Sequence, residues 1–411
     1  MKLEKIDQIF QDTAYIHAGG TEEELQVAKY FQDECAKLGL EAVIEAFPIQ
    51  MANMQEAVLV VDGKEIKCEG YLNCGSGEVE AELFYLRNVE DAYSLKQCKG
   101  KIVLFDGYLR RWSYMDMLAN GAVGFITYDG NVHFPDYDID KREFREMVAE
   151  GNEKMLGVHI NVRDAIEIVR SGAKTAKIVI KQEEYVGESR NVVLDLPGET
   201  DEYIALTAHY DSVPLSHGAY DNMSGSVALL ALAESYMNKP HRRGLRFIWT
   251  GSEERGLYGS KAYVRDHEDA LANIDLCVNI DMIGCVMGGF IGVCTTEEKT
   301  VHYLEYFANE VGFQIKASQG VYSSDSTPFA DKGVPAISFA RISPGGCSAI
   351  HCSHDCLDIM SAQQMSDDID FIDAFLDRMA NAKQMPVTKT MPDNMKEELD
   401  KYLLRKRPEK K

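Results

Sequence analysis

Residues 203–211 read YIALTAHYD, an apolar run that ends in residues with metal-ligand side chains. Short apolar runs of this kind are typical of strands buried in a parallel sheet. Three more follow along the chain, at Leu245–Thr250, Leu276–Ile280 and Val334–Ala340. A helical pattern over Ser224–Asn238 lies between the first two runs. The alternation predicts an α/β fold with a mostly parallel central sheet flanked by helices.

Imidazole and carboxylate side chains stand where these predicted strands end. His209 directly follows the first run, and Asp281 follows the third. Glu253 and Glu254 come shortly after the second. In an open α/β sheet ligands gather outside the carboxyl ends of the strands, so parallel strands would bring these residues together. In chain order the full candidate set is His209, Asp211, Asp221, Glu253, Glu254, Asp281 and His351.

This inventory suits two divalent cations. Zinc accepts both imidazole and carboxylate ligands, and a pair of cations needs terminal ligands, a bridging carboxylate and a carboxylate that moves protons. Asp221 is short and precedes a turn, which suits the bridge. Of the adjacent glutamates, we expect Glu253 to be the general base and Glu254 to be a ligand. Asp211, two residues beyond His209, is placed to hold the imidazole in its metal-binding tautomer.

Composition narrows the classes of function. The chain has 411 residues, which suggests two domains. Its net charge of −23 argues against nucleic acid as a partner. No segment approaches the ~20 apolar residues of a membrane span, and the charged N-terminal stretch argues against a signal peptide. Ten cysteines without a dense framework favour reduced thiols and a cytoplasmic location, and a homo-oligomer stays open.

The order of elements indicates an interrupted domain. We predict one discontinuous metal-binding domain from residues 1–55 and 186–387, and a smaller β-rich insert over 56–185. In the first piece, Thr21 and Glu24 form a capping-box signature that opens a helix. Residues 388–411 are highly charged and are expected to be a solvated tail.

Several segments resemble peptidase family M28, the co-catalytic zinc aminopeptidases. They are AHYDS (208–212), GAYDNMSG (218–225), GSEERGLYGS (251–260), NIDMIG (279–284), SDSTPF (324–329), GVPAI (333–337) and IHCSHDCLD (350–358). The insert resembles the protease-associated domain of some family members through GKIVLFDG (100–107) and NGAVGFITY (120–128). That resemblance implies an insert that shapes or covers the substrate cleft and contributes no chemistry.

The resemblance also implies a division of the ligands. One zinc ion would be held by His209 and Asp281 and the other by Glu254 and His351, with Asp221 bridging. The family's last motif reads His-Thr-Pro-Xaa-Asp-Thr, and alignment to its aspartate selects His351.

Other residues near these motifs are weaker candidates. His354 would then be a structural or substrate-facing residue, and His217 a loop residue. Tyr322 could offer its hydroxyl to an oxyanion. Cys352 and Cys356 flank the last ligand loop and could bind metal, although cysteine is more often simply a small buried residue.

The sequence therefore predicts a zinc exopeptidase, an aminopeptidase acting on peptides with two metal ions and Glu253 as proton shuttle. Two alternatives stay open. One is another zinc chemistry on the same fold, namely a carboxypeptidase, an amidohydrolase or a glutaminyl-cyclase-like enzyme. The other is a receptor-like protein that binds without catalysis. Such a protein would have no reason to retain the proton shuttle and all the metal ligands.

Overall fold

The computed structural model describes residues 1–105, 109–133, 139–149 and 151–407. Its helices are α1 Leu3–Asp12, α2 Glu22–Lys37, α3 Ala92–Leu95, α4 Arg111–Ala119, α5 Glu146–Ala149, α6 Val162–Ser171, α7 Ser224–Tyr236, α8 Tyr258–Asp266, α9 Glu298–Val311, α10 Ser326–Asp331, α11 Ala362–Asn381 and α12 Asp393–Tyr402. Its strands are β1 Ala42–Val61, β2 Lys64–Ile66, β3 Glu69–Gly70, β4 Gly77–Leu86, β5 Lys101–Phe105, β6 Gly124–Asp129, β7 Leu156–Asn161, β8 Thr175–Leu196, β9 Tyr203–His209, β10 Gly244–Thr250, β11 Ile274–Ile280, β12 Gly289–Thr295, β13 Lys316–Gln319 and β14 Ala336–Ile342.

The chain folds into two compact units. The first comprises residues 1–49 and 188–406, and the second comprises residues 50–187 together with residue 407 among those described. The long strands β1 and β8 carry the chain out of the first unit and back into it. We predict domain boundaries at 55/56 and 185/186, within a few residues of these crossings.

The first unit is built on a sheet with strand order β13-β12-β14-β11-β9-β10-β8. Strands β14, β11, β9 and β10 are parallel neighbours, whereas β12 runs antiparallel to β14 and β8 antiparallel to β10. The predicted α/β fold with a mostly parallel central sheet flanked by helices is confirmed. The parallel core matters for function because it places the carboxyl ends of four strands along one edge.

Each central strand is buried on both faces, which explains its unbroken apolar run. Along β10, Leu245, Phe247 and Trp249 point into a core shared with α1, α2, α7, α9 and α11. Ile248, between them, points to the opposite face, against a core shared with α8, α10 and α12. Successive side chains of a strand alternate between faces, so both faces must be apolar when helices cover both.

The C-terminal segment differs from the solvated tail that we predict. Residues 393–402 form α12, and Met391, Met395 and Leu399 are buried against the core on that side of the sheet. The spacing of Met395 and Leu399 places both on one face of the helix, while the charged residues occupy the other faces. Residues 408–411, which include the end of the basic run, lie outside the described residues.

In the second unit the strand order continues from β8 as β4-β5-β6-β7-β3, and β4, β5, β6 and β7 are parallel. Its core contains Tyr114 from α4, Phe125 from β6 and Ile168 from α6. The last two residues of the GKIVLFDG segment, 106 and 107, lie outside the described residues. No helix in the part of the chain that the structure describes is both long and apolar enough to cross a membrane.

Candidate metal centre

The parallel strands of the first unit bring the predicted ligands to one edge of the sheet. His209 is the last residue of β9, and Asp281 directly follows β11, the neighbour of β9. Glu253 and Glu254 follow β10, the neighbour of β9 on its other side. Thr250, at the end of β10, is paired in register with His209. Ligands distant in sequence therefore converge because their strands end together.

Two groups of ligand atoms form at this edge, and each lies within a 4.8 Å span. The first group is His209, Asp221 and Asp281, all of which are buried. The second is Asp221, Glu254 and His351. Asp221 belongs to both groups: its Oδ1 lies 3.1 Å from His209 Nε2, and its Oδ2 lies 3.2 Å from His351 Nε2.

The separations fit metal coordination. Bonds of about 2.0–2.1 Å in a tetrahedral site set the donor atoms roughly 3.4 Å apart. His209 Nε2 lies 3.7 Å from Asp281 Oδ1, and His351 Nε2 lies 3.1 Å from Glu254 Oε2. Asp281 Oδ1 is buried and has no hydrogen-bond partner among the described residues. Because buried polar atoms are normally satisfied, a cation at this position would account for it.

The Asp221 loop is held by a residue to which the sequence gives no role. Asp355 is buried, and its carboxylate accepts the backbone N–H of Tyr220 at 2.7 Å and that of Asp221 at 3.0 Å. The peptide bond between Asp221 and Asn222 is cis. The only signal for Asp355 in the sequence is its match to the aspartate of the family's last motif, four residues after His351.

Asn222 ties this loop to the Asp281 strand. Its side-chain N–H donates to the carbonyl oxygen of Ile280 at 2.9 Å, and its Oδ1 accepts the N–H of Met282 at 3.0 Å. The same oxygen accepts the N–H of Gly225 at the start of α7, also at 2.9 Å. One amide side chain thus grips the residues on both sides of Asp281 and fixes that residue relative to Asp221.

Asp211 supports the paired glutamates more directly than it supports His209. Its Oδ1 accepts the N–H of Glu253 at 2.9 Å, and its Oδ2 accepts that of Glu254 at 3.3 Å. His209 Nδ1 lies 3.1 Å from the backbone oxygen of Asp211 and 3.5 Å from its Oδ1. The buried carboxylate therefore fixes the turn that carries both glutamates, and the backbone oxygen faces the imidazole.

The electrostatic environment favours positive charge between these groups. Burial lowers the pKa of His351, but the charge of Glu254 and hydrogen bonds with Asp221 and Glu254 raise it overall, to about 12. Burial likewise lowers the pKa of His209, yet hydrogen bonds with aspartates raise it well above its ordinary value. The pKa of Glu253 is raised well above its ordinary value by burial and by the neighbouring carboxylates. Protons or metal cations can supply the compensating charge.

The backbone is strained where the ligands are carried. Ser252, Met282 and His351 have φ values of +53°, +65° and +59°, in the left-handed region that favours glycine. Ser252 precedes Glu253, Met282 follows Asp281, and His351 is itself a candidate ligand. Such residues concentrate at functional sites, where the surrounding structure holds them.

The remaining candidates lie outside the two ligand groups. His354 and His217 are exposed. Cys352 is buried and Cys356 partly exposed, and all ten cysteines, which all lie in the described ranges, are free thiols. The hydroxyl of Tyr322 is buried without a partner among the described residues. Burial and the charges of Asp281 and Asp221 raise its pKa, so it stays a neutral phenol beside the ligands.

Residues 191–374 match peptidase family M28. The chain is 31% identical over 206 residues to the aminopeptidase YwaD of Bacillus subtilis, a match that covers 47% of this chain and 44% of YwaD. It is 36% identical over 152 residues to leupeptin-inactivating enzyme 1 of Streptomyces exfoliatus, covering 35% of this chain and 34% of that enzyme. The chain thus spans less than half the length of these curated relatives.

Solved structures show the same fold over nearly the whole chain. The zinc aminopeptidase BSAP from Bacillus subtilis superposes with a TM-score of 0.77 and 23% identity, covering 95% of this chain and 97% of that one. An aminopeptidase from Aneurinibacillus sp. strain AM-1 superposes with a TM-score of 0.75 and 22% identity, covering 94% and 96%. At these identities the likeness shows the fold.

Proposed function

Because residues 191–374 match peptidase family M28, we propose that the chain is a zinc aminopeptidase that removes N-terminal residues from peptides. The observation that carries the proposal is the position of Asp221. Its two carboxylate oxygens face two different histidines, and each histidine is accompanied by a further carboxylate. A bridging carboxylate with terminal ligands on either side is the inventory of a two-metal hydrolase.

In this proposal His209 and Asp281 would hold one zinc ion, Glu254 and His351 the other, and Asp221 both. When bound, the ions supply Lewis acidity, which polarises a carbonyl group and makes water more acidic. Glu253 would accept the proton of the attacking water and deliver it to the leaving nitrogen.

Two other groups would assist. Asp211 would keep Glu253 and Glu254 in place through their backbone N–H groups. The hydroxyl of Tyr322 would donate to the oxyanion that forms on the scissile carbonyl. An acidic site also suits a substrate whose free α-amino group is cationic.

The adjacent glutamates give the sharpest test, because they are assigned different roles. Glu253→Ala should lower kcat by about 10²–10⁴-fold, the usual contribution of a general base, while zinc content stays at the wild-type level. Glu254→Ala should lose zinc together with activity. Both variants are assayed on aminoacyl-anilides, with metal measured by mass spectrometry on the same samples. Equal zinc loss in both variants would contradict the separate roles.

The substrate panel separates an aminopeptidase from the alternatives. Free-amine dipeptides and anilides should be cleaved, and their N-acetylated counterparts should not. Cleavage of the blocked substrates would assign the enzyme to the carboxypeptidase or amidohydrolase class instead. Cyclisation of an N-terminal glutamine without hydrolysis would indicate the glutaminyl-cyclase-like chemistry.

We further propose that the second unit, residues 50–187, is a protease-associated domain. Its support is the pair of glycine-bounded apolar segments that become β5 and β6 and contribute to a separate hydrophobic core. The cytoplasmic location and the lack of a nucleic-acid partner remain predictions from the sequence, and the oligomeric state stays open.

A further inference from the structure

The N-terminal segment that precedes and opens α2 touches the loops that carry the proposed catalytic groups. The backbone N–H of His17 donates to Ser212 Oγ at 3.1 Å, and the N–H of Ser212 donates to the carbonyl oxygen of His17 at 3.3 Å. Ser212 directly follows Asp211. Further along the segment, Arg255 donates to the carbonyl oxygen of Gly19 at 3.3 Å.

Glu24 is the buried centre of this contact. It stands in the first turn of α2 and is fully buried. Its Oε1 accepts hydrogen bonds from the hydroxyls of Ser189 and Ser252, the latter at 3.4 Å. Its Oε2 accepts the N–H of Gly20 at 2.9 Å and lies 3.6 Å from the Arg190 guanidinium.

Helix capping does not explain this arrangement. The capping box predicted from the sequence forms only in part: Thr21 accepts the N–H of Glu24 at 3.2 Å, but Glu24 reaches past Thr21 to Gly20. In a complete capping box the carboxylate would return to the N-cap residue itself. Instead, one carboxylate oxygen accepts from the hydroxyls of both Ser189 and Ser252, which the cap does not require.

The N-terminal segment and the Gly251–Ser252 turn are packed too closely for a side chain at Gly19 or Gly251. A Cβ atom on Gly19 would lie 2.3 Å from Ser252 Oγ. A Cβ on Gly251 would lie 2.3 Å from the carbonyl oxygen of Arg190 and 2.6 Å from Glu24 Oε1. Ser252 has the left-handed φ of +53° and immediately precedes Glu253. A side chain that holds Ser252 therefore determines the direction in which the chain enters Glu253.

We propose that Glu24 is a positioning residue for Glu253: its buried carboxylate locks Ser252 in its left-handed conformation and so aims the general base. The inference rests on the proposed function, because it assigns Glu24 a role in that reaction. Glu24 does not reach the ligand groups itself and acts through the Gly251–Ser252 turn.

The test compares two buried glutamates of the same helix in the full-length, zinc-loaded protein. Glu34, near the other end of α2, is buried and paired with Lys5 and Lys37, away from the site. Glu24→Gln should lower kcat by about 10–100-fold, the scale expected for a misplaced catalytic group, with KM and zinc content unchanged. Glu34→Gln should leave kcat unchanged while lowering the unfolding temperature.

A second comparison shows whether Glu24 acts through Glu253. In a Glu253→Ala background, Glu24→Gln should not reduce the residual rate further, because the group that it positions is absent. An equal reduction in both backgrounds would overturn the proposal, and so would wild-type kcat in the folded Glu24→Gln protein. If Glu24→Gln does not fold, Ser252→Ala, which removes the hydrogen bond between Ser252 and Glu24 from the other side, takes its place in each comparison.

Amide hydrogen exchange provides a readout that does not depend on activity. Exchange over residues 251–257 should quicken in Glu24→Gln but not in Glu34→Gln. If wild-type protein cleaves no substrate, the proposed function fails, and this comparison still decides whether Glu24 holds the turn. Unchanged exchange would overturn the inference whatever the activity.

Discussion

At the scale of single residues, Asp221 is the point on which the site depends. Each of its oxygens faces a different histidine, so both ligand groups lose a member when this one side chain is replaced. Asp355 and Asn222 hold its loop through backbone and side-chain hydrogen bonds. The two ligand groups therefore form one coupled unit rather than two independent ones.

The two histidines of the last motif should behave differently. His351→Ala removes a member of the second ligand group and should reduce zinc content and abolish measurable hydrolysis. His354→Ala should keep wild-type zinc content, because this exposed side chain lies outside both groups. Zinc per chain, measured after dialysis against dilute chelator, checks the prediction. A loss of zinc in His354→Ala but not in His351→Ala would show that His354, and not His351, is the ligand.

Residues at strand ends could be predicted from the sequence, and the residues that support them could not. His209 and Asp281 follow apolar runs, so the fold class alone indicates that they converge. The partners of Asp355 are 134 and 135 residues away, and nothing local marks the contact. Asn222 is similar, because its amide hydrogen-bonds to backbone atoms at a distant strand. Every residue type has these backbone atoms, so the sequence does not indicate the contact.

At the scale of elements, α7 makes an unusually close approach to β11. Gly225 in the first turn of α7 has no side chain, and a Cβ there would lie 2.2 Å from the carbonyl oxygen of Ile280. That oxygen is also bonded by Asn222. The helix and the strand thus meet backbone to backbone directly beside Asp281.

Gly225→Ala should therefore disturb both stability and the site. The clash is with backbone, which cannot rotate away, so we expect a loss of about 1–3 kcal/mol in the free energy of unfolding, typical of overpacking, together with weaker zinc binding. Gly289→Ala is the matched control, since a Cβ at Gly289 meets nothing within 4 Å. Urea unfolding and a zinc titration measure the two effects. Equal behaviour of the two variants would contradict the close approach.

In the second unit, a buried chain of hydrogen bonds joins strands β6 and β7 and ends at the titratable side chain of His159. Thr127 Oγ1 lies 2.7 Å from both the Tyr71 hydroxyl and His159 Nδ1. Burial and the nearby Arg142 lower the pKa of His159 from 6.5 to about 4. The folded unit therefore holds this imidazole in its neutral form.

This histidine should make the unit sensitive to acid. Because the folded pKa lies below the unfolded value, the unfolded chain takes up the proton first as the pH falls. The contribution of the neutral His159 to the free energy of unfolding is complete above pH 6.5. It is lost as the pH falls from 6.5 to 4, and the total loss is on the order of 3 kcal/mol. His159→Asn, which does not titrate, should flatten the fall in calorimetric stability between pH 7.5 and pH 5. An identical fall in wild type and variant would contradict this assignment.

The pattern of each element could be predicted more easily than its extent. β1 and β8 run to 20 and 22 residues because each continues from one unit into the other, and no local signal separates the two halves. The helix α12 was not predicted, because its sequence is highly charged. Its apolar positions are few, and their burial depends on a groove formed by distant elements, so composition alone favours a solvated tail.

At the scale of the whole molecule, an acidic chain concentrates carboxylates at one sheet edge. The net charge is −23, and the described site brings buried Asp211, Asp221 and Asp281 together with the paired glutamates. Such a cluster is self-repelling unless cations or protons neutralise it. Folding of the first unit should therefore be linked to zinc.

Zinc should stabilise the first unit and leave the second unchanged. Binding to the folded state alone, at free zinc about 1,000 times Kd, adds about 4 kcal/mol. The chain has two tryptophans, Trp249 in the first unit and Trp112 in the second. In a Trp112→Phe background, the urea midpoint reported by Trp249 should rise with zinc, and Asp221→Asn should remove most of that rise. An equal zinc response in Asp221→Asn would place the binding elsewhere.

The free thiols have a practical consequence for assigning the proposed activity to a peptidase class with inhibitors. Cys347 is the exposed cysteine among the ten, and it lies four residues before His351 in the loop that follows β14. A bulky mercurial or maleimide would attach there first and crowd the neighbouring histidine. Inactivation by such reagents would then mimic a cysteine peptidase, although the thiol takes no part in the chemistry. A Cys347→Ser protein that keeps its full activity in the presence of the reagent would remove the ambiguity.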